Sequence, residues 1–183
     1  MPRISDYFFG RRHFGGMKTQ EFTSSGTWTK PTNTDSIYVF AVGGGGSGGS
    51  TDTNTSGGAA GGGAGAIRET VLSVTDDVNI TIGSGGSGVL HSKGNNGGDT
   101  VLDINGTPIL TVKGGGAGAD ETDNVGNSGG CGGGSSGSSG ENGSGGGGGA
   151  RGPGENVNTD SSNTPYTKGG RGIQGGCGGA GRS

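Results

Sequence analysis

Ser36-Ile-Tyr-Val-Phe-Ala-Val42 runs without a polar turn into Gly43-Gly-Gly-Gly-Ser-Gly-Gly49. The first seven residues are β-branched or aromatic at most positions, the composition of a strand, and being apolar on both faces they read as a central one. The next seven have almost no side chains. A core built of side chains cannot continue through them, so the junction at Val42 and Gly43 marks a change in how the chain packs.

Composition extends this contrast to the whole chain. Glycine supplies 52 of 183 residues and apolar residues 24%, far from the balance of an ordinary globular domain. Leu, Ile, Val and Phe number 27, and 20 of them lie between Phe22 and Val112. The side-chain core is therefore expected there. Around the opening stretch lie further strand signals: Glu21–Pro31, Ala66–Val74, Val78–Ile82, Thr100–Ile104 and Ile109–Lys113. Val78, Ile80 and Ile82 alternate with Asn79 and Thr81, and Asn105-Gly106-Thr107-Pro108 is a tight hairpin signal. No segment has the 3.6-residue apolar period of a helix.

After Lys113 the strand signal stops, and 28 of the last 70 residues are glycine. From Gly134 glycine recurs at every third position through Gly152, and again from Gly169 to Gly181. Three residues per turn is the period of polyproline II, and glycine at each third position leaves one face bare for close backbone packing. Collagen would need abundant proline, and the longer run holds only Pro153. The expected fold is all-β: a small β-sandwich followed by a packed bundle of glycine-rich polyproline II helices, which Gly43–Gly49 and Gly57–Gly65 can join. The organisation expected is a docking segment over 1–18, the sandwich with glycine-rich insertions over 19–113, and the glycine bundle with exposed loops over 114–183.

Residues 1–18 are unlike the rest. Arg3, Tyr7, Phe8, Phe9, Arg11, Arg12 and Phe14 gather there, and aromatic residues with Arg are the side chains enriched at interface centres. They are read as partner-docking residues. If the glycine segments are scaffold, recognition falls to the polar breaks between them. Those breaks supply Asp52 and Asn54, then Asp120, Glu121, Asp123 and Asn124, then Asn156, Asn158, Asp160, Asn163 and Tyr166. Such amides, carboxylates and a phenol suit hydrogen bonding and stacking against a sugar or a receptor loop.

Other functions find little support in the residues. A formal charge of −3 and a pI near 5.2 give no basic field for nucleic acid. No apolar run approaches the ~20 residues needed to span a bilayer, and the N-terminus has no apolar signal region. The stretch from Asp52 to Gly57 matches half of an EF-hand loop, but the twelfth position is Gly63 where a bidentate Glu is required, so no metal is expected. His13 and His91 stand in no catalytic motif; no enzyme activity and no cofactor are expected. Cys131 and Cys177 occupy identical Gly-Gly-Cys-Gly-Gly contexts. Without a secretion signal they are expected as free thiols rather than as a staple.

The order Phe22-x5-Trp28-x2-Pro31, then Ile37–Val42, then Gly43–Gly49, resembles the glycine-rich domain of tail fibres and related virion proteins of tailed bacteriophages. The later tripeptide glycines are similar to the polyglycine sandwich of tail-fibre adhesins. The resemblance implies a virion protein, a tail fibre or fibre tip, homotrimeric, seated on other virion proteins and presenting loops to a host polysaccharide or outer-membrane protein. A capsid fibre or decoration protein is the alternative within that class. An ice-binding protein, after the snow-flea antifreeze proteins that also pack glycine helices, is a more remote one; Glu141, Asn142, Arg151, Arg171, Ile173 and Gln174 do not form its flat array of small residues.

Overall fold

The computed structural model describes residues 18–51, 58–120, 122–123 and 126–134. Among them the chain is all-β, with two antiparallel sheets and no helix. Six strands follow in order: β1 Gly26–Trp28, β2 Ser36–Val42, β3 Ile67–Ser73, β4 Val78–Thr81, β5 Thr100–Ile104 and β6 Thr107–Val112. One sheet has the order β1-β4-β5-β6, and the other is the pair β2-β3. Val74, Val78 and Leu102 are buried at the centre, with Trp28, Ile80, Ile104, Ile109 and Leu110 on one side and Ile37, Val39 and Leu72 on the other. The two sheets thus share one small core.

The expected hairpin at Asn105-Gly106 is present, and it is tighter than the four-residue signal. Asn105 and Gly106 have φ of 51° and 79°, the left-handed pair that a two-residue turn between right-twisted strands requires. Pro108 lies within β6, opposite Asp103, where the register shifts. Proline is tolerated there because β6 is an edge strand and a ladder bond is already lost at the irregularity.

The reading of β2 as a central strand is corrected. Among the described residues it pairs with β3 alone, through seven residue pairs from Ser36 and Ser73 to Val42 and Ile67. Ile37, Val39 and Ala41 face inward, whereas Tyr38, Phe40 and Val42 are exposed. Its apolar outer face reflects an uncovered surface rather than burial on both sides.

Five described glycine segments continue strands, and residues 126–134 add a further one that adjoins none of them. Residues 43–50 leave β2, 58–66 lead into β3, 83–88 leave β4, 92–98 lead into β5, and 113–119 leave β6. The segments bond to one another through the backbone at every third residue. Gly43, Gly46 and Gly49 donate to Ala66, Gly63 and Ala60 at 2.8–2.9 Å, and Gly44, Ser47 and Ser50 donate to Gly98, Asn95 and Ser92 at 2.9–3.0 Å. Ala60, Gly63 and Ala66 donate in turn to Ala119, Gly116 and Lys113. Gly115 and Gly118 donate to Gly44 and Ser47, and Gly116 and Ala119 to Cys131 and Gly134. Residues 114–120 are all buried, enclosed by these neighbours.

Glycine is needed here for space, not for φ, since Gly106 is the one described glycine with positive φ. A Cβ on Gly43, Gly46 or Gly49 would lie 2.1–2.2 Å from the carbonyl oxygens of Lys113, Gly116 and Ala119. Segments this close satisfy many of their N–H and C=O groups backbone to backbone. The tripeptide runs beyond Gly134 lie outside the described residues.

The thiol expectation is also corrected at Cys131, which is disulfide-bonded. Its main chain is held within the glycine array, donating to Ala64 and accepting from Gly116. The chain's other cysteine, Cys177, lies outside the described residues.

Candidate recognition end

Because glycine segments run out from β2, β4 and β6 and return into β3 and β5, the breaks between them collect at the end away from the sandwich. Two of the polar breaks singled out in the sequence, 50–56 and 119–124, are about 70 residues apart in the chain. A third break, His91–Lys93, joins both. Ser50 N–H donates to the Ser92 carbonyl at 2.9 Å, and His91 Nδ1 faces the Thr51 carbonyl oxygen at 3.2 Å. Lys93 Nζ donates to Asp123 Oδ2 at 2.8 Å, an ion pair in which Asp123 is half exposed.

Asp120 has a different setting from its neighbour. It is buried, and its carboxylate accepts from Thr122 N–H at 3.0 Å, Asp123 N–H at 2.6 Å and the Thr122 hydroxyl. A carboxylate that folds back on the residues two and three positions ahead in this way shapes a turn. Its bond from Asp123 N–H ties Asp123 to the end of the glycine array. Of the other expected recognition residues, Asp52, Asn54, Glu121, Asn124, Asn156, Asn158, Asp160, Asn163 and Tyr166 lie outside the described residues. So do the docking residues Arg3, Tyr7, Phe8, Phe9, Arg11, Arg12 and Phe14.

His91 and Lys93 are absent from the sequence-based candidates. They sit among glycines and serines, in a break no more polar than many others, and only the register of 92–98 against 43–50 carries them to this end. Nothing local in the sequence states that register.

The junction between sandwich and glycine segments is pinned by side chains. The Thr100 hydroxyl, buried, donates to the Val42 carbonyl at 2.7 Å and accepts from Gly83 N–H at 3.0 Å, tying the ends of β2, β4 and β5. Asp99 accepts from Lys113 Nζ at 2.6 Å and Gly114 N–H at 2.9 Å, and these bonds, Lys113 first, hold its pKa below the ordinary carboxylate value. Farther out, Asn96 Oδ1 accepts from Ala117 N–H and from Asn127 Nδ2. At the opposite end of the sandwich, bonds from Asp77 N–H and then Asn105 Nδ2 lower the pKa of exposed Asp76.

The distal end offers an imidazole, an ammonium paired with a carboxylate, hydroxyls and main-chain groups. This is hydrogen-bonding chemistry. Among the described residues no group of three or more His, Cys, Asp or Glu is placed to hold a metal ion, and no helix is long and apolar enough to cross a membrane.

A family model described as a glycine-rich domain matches residues 19–183, beginning just after the aromatic and basic N-terminal segment. No curated protein and no solved structure matches the chain.

Proposed function

The chain belongs to the glycine-rich domain family, and on that premise we propose that it is a bacteriophage virion structural protein, a tail fibre or fibre tip whose loops recognise the host surface. In this reading the glycine segments are polyproline II helices. Their backbone bonds recur at every third residue, the period of that helix, and at ~3.1 Å per residue a segment such as 43–50 would carry its end roughly 25 Å from the sandwich. The observation that carries the reading is the gathering of three separate breaks, at Thr51, His91–Lys93 and Asp120–Asp123, at one end of a scaffold almost without side chains. A scaffold of that kind has little to offer except the position of its loops.

The remaining parts of the reading rest on the resemblance to tail-fibre proteins and on the composition of residues 1–18. The segment 1–18 seats the protein on other virion proteins through Tyr7, Phe8, Phe9 and its arginines, the protein is a homotrimer located in the virion, and the ligand is a host polysaccharide or outer-membrane protein. It is neither an enzyme nor a nucleic-acid binder, and it takes no cofactor.

The test is binding of fluorescently labelled full-length protein to susceptible and resistant cells. Saturable binding to susceptible cells alone is expected, weakened by Lys93→Ala and Asp123→Ala. Absence of binding would leave the architectural alternative, a capsid fibre or decoration protein.

A further inference from the structure

Cys131 is disulfide-bonded, and the chain has one other cysteine, Cys177, which shares its Gly-Gly-Cys-Gly-Gly setting and lies outside the described residues. Cys131 is also one of five consecutive buried residues, 130–134, in an array whose members are fixed by backbone bonds. The disulfide therefore ties a second stretch of chain to a defined level of that array. Gly130 donates to Gly114, Cys131 to Ala64 and Gly134 to Gly61, while Cys131 and Gly134 accept from Gly116 and Ala119. Residues 114–119 lead away from β6 and residues 61–66 lead toward β3, so 130–134 runs outward. Its last residue stands at the distal end.

The described segments alternate in direction. Residues 43–50 run outward, 58–66 inward, 83–88 outward, 92–98 inward and 113–119 outward. Asn127 then donates to Ala117, and Gly129 lies against Gly114, Gly115 and Gly116, an inward step before 130–134 turns outward again. The next segment in that order returns toward the sandwich. In the sequence a suitable return is the run with glycine at 169, 172, 175, 178 and 181, and Cys177 falls within it. A disulfide needs Cα atoms ~4.4–6.8 Å apart, a separation of main chains lying side by side.

We infer that Cys131 and Cys177 of one chain form the bond, and that it closes the 45 residues 132–176 into a loop whose polar break, Glu155–Lys168, stands at the distal end beside His91, Lys93 and Asp123. The loop's part in recognition rests on the preceding reading; the linkage does not. Tyr166 is 32 residues from Gly134 and 11 from Cys177. For a glycine-rich coil of those lengths, the first tether alone spans roughly 30 Å, and the second holds Tyr166 within roughly 20 Å of Cys131. The bond thus raises the local concentration of the break several-fold. It forms by exchange with a small-molecule disulfide: one thiolate attacks it and releases a thiol, and the other attacks the mixed disulfide and releases the second. Two cysteine thiols are oxidised, and the small disulfide is reduced to two thiols.

The test uses the full chain, oxidised with a small-molecule disulfide. Cleavage after Lys and Arg should yield peptide 114–151 joined to peptide 172–182, from protein that migrates without reductant at the single-chain mass of 17.4 kDa, and reductant should separate the two. The same link confined to a two-chain species would overturn the inference, as would Cys177 recovered as a free thiol. Placement is read with a short amine cross-linker on the same protein, which should join Lys168 to Lys93. Links from Lys168 to Lys113 or Lys30 alone, or no link to Lys93, would count against the distal placement. Tyr166→Ala, which leaves the bond intact, should weaken binding to susceptible cells about tenfold, and reduction with alkylation should do the same. Unchanged binding in either case would remove the loop from recognition. Oxidised protein that carries both links and binds no cells would sink the recognition reading and leave the linkage standing, so the two failures are distinguishable.

Discussion

Thr100 lies 58 residues beyond Val42 and donates its hydroxyl to the Val42 carbonyl at 2.7 Å, at the point where strands give way to glycine segments. The same oxygen accepts from Gly83 N–H. One buried hydroxyl thus serves two main-chain groups that have no side-chain alternative nearby. Thr100→Val keeps the shape and strands both groups, at a cost of about 1–3 kcal/mol. A fall in melting temperature of roughly 3–10 °C is expected by calorimetry. An unchanged melt would mean that water or backbone movement replaces the hydroxyl.

The glycine segments should be sensitive at some positions and indifferent at others. A Cβ on Gly115 would meet the Gly63 carbonyl oxygen at 1.9 Å, whereas one on Gly88 meets nothing within 4 Å. Gly115→Ala is expected to destabilise by about 3 kcal/mol, since backbone must move on both sides. Gly88→Ala should be neutral or stabilise by up to ~1 kcal/mol, because its φ suits any residue and the unfolded chain loses freedom. Chemical denaturation of the two variants side by side checks both; equal losses would mean that contact distance does not govern these sites.

Asp99 supplies an acid-sensitive contact. Its pKa is lowered in the folded state by Lys113 and by Gly114 N–H. The stabilisation is therefore fully present above the unfolded value near 3.9 and is lost as pH falls through the lower folded value. Melting temperature should be level from about pH 7 to 5 and decline below pH ~4, with a smaller parallel effect from exposed Asp76. Asp99→Asn should lower the neutral-pH melt by about 2–4 °C and flatten the acid decline. A variant with the full decline would assign it to other carboxylates.

The disulfide at Cys131 predicts that alkylation of the unreduced protein leaves this residue unmodified, as read by peptide mass, and that reductant exposes it. Reduction should lower stability by about 2–4 kcal/mol. Alkylation of Cys131 without reductant would show the bond absent.

The Lys93 and Asp123 pair should matter little to folding. It is a partly exposed ion pair, worth ~0–1 kcal/mol. Lys93→Ala and Asp123→Ala are expected to shift the melt by less than about 3 °C. A larger shift would make the pair part of the scaffold.

The strands were readable because their information is local. Val78, Ile80 and Ile82 alternate, Asn105-Gly106 turns, and the opening stretch ends where its side chains end. The pairing of β2 with β3 alone was not readable, because an apolar residue such as Phe40 looks the same whether a core or a partner is meant to cover it. The disulfide at Cys131 runs against the free-thiol expectation, which rested on a cue to compartment that carries no geometry. His91 and Lys93 were missed for a related reason: what gives them neighbours is the three-residue register between 92–98 and 43–50, and glycines themselves do not state a register.

That last point reaches further than the site. Two glycine segments sliding past one another by three residues would trade each carbonyl contact for a near-identical one, so the array by itself tolerates more than one alignment. Keeping the frame falls to a few off-pattern side chains: Thr100 and Asp99 at the root, and Asn96 and Ser47 along the length, the last accepting from Asn95 N–H at 2.8 Å. They act like index marks on a ruler with equal divisions. Loss of several together would allow slipped isomers, equally well bonded in the middle and mismatched at the tips.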